Sequence, residues 1–189
     1  MAELLQQVRA CRLCAAQLPH GPRPVLQFHP RARILIAAQA PGRKVHASGI
    51  PFDDASGERL RGWLGLAPAQ FYDARRVAIL PMAFCYPGTG AHGDLPPPPG
   101  CAQQWRAPLM KRLVHLQLTL VIGSYAQAWH LRGAGRLTDV VADWRRHWPD
   151  VVPLPHPSPR NNRWLLRHPW FERDLVPALR ARVALLMGD

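Results

Sequence analysis

Arg33 to Phe52, RILIAAQAPGRKVHASGIPF, is the stretch on which the fold turns. Ile34, Leu35, Ile36, Ala37 and Ala38 make an aliphatic run too short for a typical helix, which predicts a strand buried on both faces. The run stops at Gln39-Ala40-Pro41-Gly42. Pro41 fixes its own φ and Gly42 permits backbone angles that other residues avoid, so this corner can present main-chain N–H groups and the Gln39 amide to a ligand. In open α/β sheets ligands bind just past the carboxyl ends of strands. One lip of a ligand pocket is expected here.

The same rhythm repeats outward from that stretch. Further apolar runs at Val77–Ala83, Leu118–Gly123 and Val151–Leu154 read as strands. Between them lie helical patterns: one capped by Ser56 and carrying Arg59, Leu60, Trp63 and Leu64, one around Trp105–Leu116, and one opened by Gly123-Ser124-Tyr125. A helix from Ala2 to Ala16 precedes the first strand, and another from about Pro169 to Leu186 closes the chain. Strands alternating with helices predict an α/β fold, a three-layer α/β/α sandwich with a central four-stranded parallel sheet and right-handed crossovers. With no internal repeat and no linker, residues 1–189 are expected to form a single domain.

At 189 residues and 48% hydrophobic, the chain can bury an ample core, which argues against disorder. No apolar run approaches the roughly 20 residues needed to span a bilayer. The start, MAELLQQVRAC, has an early acidic residue and no apolar block, so it does not read as a secretory signal. A cytoplasmic monomer with no membrane partner is expected. The net charge is +12, and only Lys44 and Lys111 of the 24 basic residues are lysines. Such an excess of guanidinium suits a polyanion, because its fork matches phosphate oxygens. The alternative is arginine used wherever the surface needs a cation.

Four cysteines in a cytosolic chain are unsuited to structural disulfides. Cys11 and Cys14 form a C-x2-C pair, while Cys85 and Cys101 flank fifteen residues, Tyr86 to Gly100, rich in proline and glycine. That segment is expected to lack regular structure, and a loop so long in a compact domain is either mobile or tied down. A metal shared by Cys85 and Cys101 would close its base. Zinc and a [4Fe-4S] cluster both accept four thiolates, and the spacing does not choose between them.

With these pieces in order the sequence resembles the uracil-DNA glycosylase superfamily, most closely its iron-sulfur, family 4-like branch. The resemblance rests on Cys11 and Cys14, the Gln39-Ala40-Pro41-Gly42 turn, Pro51-Phe52, Cys85 and Cys101 around the proline-rich loop, and His156-Pro157-Ser158-Pro159 after the last strand. It implies a DNA-repair glycosylase acting on DNA that contains uracil or another damaged base, with a structural [4Fe-4S] cluster on Cys11, Cys14, Cys85 and Cys101. Zinc remains the alternative.

The reaction leaves negative charge on the base and positive character on the sugar, after the nucleotide has been drawn from the stack. Phe52 is the candidate to stack on the extruded base, and His156 the donor to its charged oxygen. Gln39 stands at the catalytic position of the turn. Ala40, Gly42, Phe52 and Asp53 are the expected substrate-binding residues, and Ser158, Arg160 and Asn161 the expected DNA-binding ones. Phe52 also reads as a core aromatic, and His46 as facing either substrate or solvent.

Three departures stand out. Gln39 replaces the branch's glutamate, Ala40 replaces an aspartate found in another branch, and Pro81 replaces the asparagine that reads the uracil edge. Glutamine orients water but cannot take its proton. Asp53 and Asp54 are nearby carboxylates. A DNA-binding descendant without the chemistry is therefore the competing expectation.

Overall fold

A computed structural model describes residues 2–91, 93–131 and 135–188. β1 (Ile34–Ala37) and β5 (Leu118–Ile122) lie side by side within a four-stranded parallel sheet, flanked by β2 (Val77–Ile79) and β6 (Val151–Leu154) in the order β2, β1, β5, β6. Every residue of β1 and β5 is buried, as continuous aliphatic runs covered on both faces require. Ile36 pairs with Ile79 on one side and with Leu120 on the other, and Leu120 pairs in turn with Val152.

Successive side chains of β1 point to opposite faces and so belong to different cores. Ile34 and Ile36 pack with Leu60, Trp63 and Leu64 of α3 (Ala55–Leu64) and with Leu179, Val183 and Leu186 of α9 (Val176–Met187). Leu35 faces the other way, toward Leu4 and Val8 of α1 (Ala2–Arg9) and Trp105 and Leu109 of α5 (Pro99–Met110). These two cores make the expected α/β/α layers. Each fully buried leucine or isoleucine contributes about 2 kcal/mol.

Several boundaries differ from the sequence expectation. α1 stops at Arg9, well short of Ala16, because no residue between Val8 and Leu18 is buried against the fold. Cys11 and Cys14 therefore stand in turns ahead of a single 3-10 turn, Ala15–Gln17. β2 ends at Ile79 rather than Ala83, although Leu80 and Met82 still donate to the chain after β1. The helix expected at Trp105–Leu116 begins at Pro99, where proline suits the first turn, and ends at Met110. The polar residues after the Pro41-Gly42 corner form a short helix, α2 (Arg43–Ser48). The shorter helices α4 (Pro68–Phe71), α6 (Gly123–His130), α7 (Leu137–Ala142) and α8 (Asn162–Arg167) fill the remaining connections.

The proline-rich segment is also not wholly irregular. β3 (Thr89–Gly90) and β4 (Gly93–Asp94) pair as a small antiparallel hairpin. Among the described residues no helix is long and apolar enough to cross a membrane.

The N-cap of α3 is Asp54, not Ser56: the Asp54 carboxylate accepts the Gly57 N–H at 2.9 Å. A Cβ on Gly57 would stand 1.8 Å from the Phe52 carbonyl oxygen, so the Phe52 backbone rests directly on the first turn of the helix. Gly57→Ala is therefore expected to lower the unfolding free energy by about 2 kcal/mol or more. Urea denaturation measures this, and a loss below about 0.5 kcal/mol would mean the contact is not tight.

Candidate active site

Where the strands end, a cavity of about 690 Å³ opens. Ala40, Pro41 and Gly42 line it from the corner after β1, Phe52 and Asp54 from the loop before α3, and Pro81 and Tyr86 from the chain after β2. His156, Ser158 and Arg160 come from the loop after β6. Residues from four separate stretches of sequence meet because parallel strands deliver all their carboxyl ends to one side of the sheet.

His156 is held in one orientation. Its Nδ1 accepts the Ser158 N–H at 3.2 Å, which leaves the proton of a neutral ring on Nε2. Its main-chain carbonyl accepts from Asn161 Nδ2 at 2.7 Å, and Arg59 of α3 donates to the Ser158 carbonyl at 3.1 Å and to Asn162 Oδ1 at 2.8 Å. Burial pushes the His156 pKa below the usual imidazole value, with Asp54 and Asp94 opposing that shift and Arg160 adding to it. A neutral Nε2–H donor at neutral pH follows.

Phe52 is the one described non-glycine residue with positive φ, at 56°. Such a backbone costs on the order of 1–3 kcal/mol and persists only where its surroundings impose it. Here the Phe52 carbonyl accepts from Arg61 Nη1 and the Tyr72 hydroxyl, each at 3.4 Å, and the ring meets the edge of Phe71 with centroids 6.2 Å apart. The twist brings a partly buried ring to the cavity wall.

Ala40, Gly42, Phe52, His156, Ser158 and Arg160 thus share one cavity, whereas Gln39, Asp53 and Asn161 are not among its lining residues. Gln39 Nε2 donates instead to the Leu95 carbonyl at 3.1 Å, tying the corner to the chain that follows the hairpin. Asp53 is exposed, and its neighbour Asp54 lines the wall. His46 packs its ring against Tyr86 and His20, and its Nδ1 is buried without a hydrogen-bond partner.

Several lining residues escaped the sequence reading, among them His20, Tyr86, Thr89 and Asp94. His20 stacks on Tyr86, with centroids 5.2 Å apart and planes at 18°. The Tyr86 hydroxyl bonds the Thr89 hydroxyl, which donates to Asp94 Oδ1 at 3.0 Å. His20, Tyr86 and Asp94 all line the cavity. The available signal was the glycine spacing, since Gly88, Gly90 and Gly93 bracket a turn that aims Thr89 and Asp94 at each other.

Behind Pro81 lies Arg106 of α5, with 2% of its surface exposed. It donates to the Leu80 and Pro81 carbonyls at 3.0 and 3.3 Å and to His130 Nε2. Burial lowers its pKa to about 10, and burial together with the Arg106 charge lowers that of His130 to about 4.

The four cysteines line one small pocket of their own, with Leu13, Leu18, Pro22, Ala83 and Pro98. Trp105 Nε1 donates to Cys11 Sγ at 3.2 Å and the Phe84 N–H to Cys101 Sγ at 3.4 Å. Burial pushes Cys85 up to about 11 and Cys101 to about 12, so neither forms a thiolate readily without a cation beside it. Among the described residues no three His, Cys, Asp or Glu groups are set to hold a metal ion. Four thiols in an apolar pocket, two of them already receiving N–H donors, nevertheless fit an iron-sulfur cluster by donor chemistry.

The depressed imidazoles make stability pH-dependent. Their folded pKa values lie below the unfolded value of about 6.5, so the unfolded chain binds more protons once the pH falls through that value. Stability is therefore expected to be fully present above about pH 6.5 and to be lost as the pH falls toward about 4, where His130 titrates. Denaturation between pH 7.5 and 4 measures this window, and ring NMR should find His156 titrating below about 6.5. A His156 midpoint above that value would contradict the neutral donor.

Residues 26–180 match the family model described as the uracil DNA glycosylase superfamily. The matched span contains the corner after β1, Phe52, Cys85, Cys101 and the His156 loop, and begins after Cys11 and Cys14. Covering most of the chain and every strand of the parallel sheet, the match establishes that this chain belongs to the uracil DNA glycosylase superfamily.

Proposed function

We propose that the protein is a monofunctional DNA glycosylase that hydrolyses the N-glycosidic bond of uracil or another deaminated or damaged base in DNA. The observation that carries this reading is the neutral, oriented His156 in a cavity whose wall also holds Phe52. As the bond between C1′ and the base nitrogen breaks, its electron pair moves onto the base and charge gathers on a carbonyl oxygen. A fixed Nε2–H donor stabilises that charge without having to reorganise. The Phe52 ring offers a face for the extruded base, and main-chain N–H groups around Ala40 offer donors to its carbonyl. Water attacks C1′ and gives an abasic site.

Arg43, Lys44 and Arg160 line the cavity, where they suit the phosphates flanking a flipped nucleotide. Pro81 offers no side-chain hydrogen bond to a base edge, which favours a broad or altered base preference over strict reading of uracil. Cys11, Cys14, Cys85 and Cys101 would hold a [4Fe-4S] cluster, whose contribution is to tie the N-terminal turns to both ends of the hairpin segment. Structural zinc on the same four thiols is the alternative.

Incubation with oligonucleotides containing uracil, hypoxanthine or xanthine tests the activity. Abasic product is expected from at least one, with His156→Ala slowing single-turnover excision by about 100-fold or more and Phe52→Ala by about tenfold. The competing reading, a DNA binder without turnover, is favoured by Gln39 being engaged by Leu95. It predicts salt-sensitive binding with no abasic product from any base. For the cluster, anaerobically purified protein is expected to be brown and to release labile sulfide together with iron. Colourless protein carrying stoichiometric zinc would overturn that part.

A further inference from the structure

Hydrolysis by water needs a group that takes a proton, and the corner after β1 lacks one because Gln39 carries an amide. The cavity holds two carboxylates, Asp54 and Asp94. Asp54 Oδ1 accepts the Gly57 N–H and caps α3, so taking up a proton there would weaken the helix cap. Asp94 is arranged differently. Its Oδ1 accepts the Thr89 hydroxyl at 3.0 Å, while its Oδ2 lies 3.5 Å from where a Cβ on Gly42 would stand and takes no donor among the described residues. One oxygen is anchored and the other faces the corner.

The hairpin carrying Asp94 is itself seated. Leu95 N–H donates to the Gly88 carbonyl at 2.8 Å, closing the hairpin, and the Leu95 carbonyl accepts from Gln39 Nε2. On its far side Gly93, at φ 127°, leaves room for the Arg160 guanidinium, which a Cβ would meet at 2.4 Å. A carboxylate accepts only, so Thr89 must donate to Asp94, and Tyr86 must donate to Thr89. This chain of hydroxyls fixes the orientation of the carboxylate. Asp94 and His156 line the same cavity.

We propose that Asp94 is the general base of the hydrolysis, standing in for the carboxylate absent at Gln39. The assignment rests on the glycosylase reading above. In the step, the water oxygen forms a bond to C1′ while one of its protons passes to Asp94 Oδ2. The bond from C1′ to the base breaks, and its electron pair leaves with the base, whose oxygen is held by His156 Nε2–H. The proton on Asp94 then passes to the released base or to solvent, restoring the carboxylate. Gln39 keeps the hairpin closed over the corner, which makes it a positioning residue.

The test is single-turnover excision at pH 7.5 from whichever oligonucleotide the wild type cleaves fastest, for wild type, Asp94→Asn, Asp94→Glu and Thr89→Val. Asp94→Asn is expected to slow the chemical step by about 100-fold or more, with duplex affinity within about threefold of wild type. Asp94→Glu should regain part of the rate, and Thr89→Val should lose about tenfold. Asp94 is exposed at a hairpin end, so these variants should melt with the wild type. An Asp94→Asn rate within about threefold of wild type overturns the assignment alone. No abasic product from the wild type with any base overturns the glycosylase reading and this assignment together.

Discussion

Three main-chain hydrogen bonds carried past the end of the sheet govern the geometry of the cavity. Leu80 N–H donates to the Ile36 carbonyl at 2.9 Å, Met82 N–H to Ala38 at 2.7 Å and Ala83 N–H to Gln39 at 3.1 Å. They hold the chain after β2 against the chain after β1, so the Pro41-Gly42 corner, Pro81, Cys85 and Tyr86 stand in a fixed relation. Each bond is worth only about 1 kcal/mol net, but leaving buried partners unmade would cost more. Pro81 fits this arrangement: the alternate residues Leu80 and Met82 donate toward β1, and the donor that proline lacks would point the other way, to the side where Ile79 pairs with Gln27. Arg106 holds the Leu80 and Pro81 carbonyls from behind.

Arginine in this chain does two jobs that composition alone does not separate. Arg23, Arg59, Arg61, Arg106, Arg180 and Arg182 donate to main-chain carbonyls and bind loops and helix ends to one another. Among the described residues ion pairs join Arg76 to Asp73 and Arg173 to Asp174, both at the surface. The net charge of +12 gives a field available to a polyanion. The same arginines build the fold and supply the field, and the two readings of the charge are not exclusive.

The sheet was legible because its strands are continuous aliphatic runs that stop in proline or glycine, as at Ala38 before Gln39-Ala40-Pro41-Gly42 and at Leu154 before Pro155-His156-Pro157. His156 and Phe52 were legible chiefly through the resemblance, as the Pro51-Phe52 pair and the His156-Pro157-Ser158-Pro159 motif, and both line the cavity. Asp94 was not. Its place depends on a hairpin of two-residue strands, stabilised by Thr89, Gln39 and the space beside Gly93, and no periodicity records contacts of that kind. Asp53 and Asp54 show the converse limit, since one residue of register decides which side chain caps α3 and lines the wall. Tyr86 sat unnoticed beside Cys85 because a ring after a cysteine carries no signal until His20 is seen stacked upon it.

What separates an enzyme from a binder in this scaffold is where free energy is tied up. Surveying an intact duplex asks for surface charge, and surface charge costs little to keep. A positive φ at Phe52, by contrast, costs on the order of 1–3 kcal/mol, and a histidine buried in its neutral form costs more as the pH falls. Both costs are concentrated at one cavity and are offset by contacts from α3, Arg61, Tyr72 and the Ser158 amide. A contact surface for undamaged DNA would relax such strain. That strain sits around a space lined by an aromatic ring, an oriented imidazole and an anchored carboxylate, which is the physical ground for proposing charge separation at a glycosidic bond there.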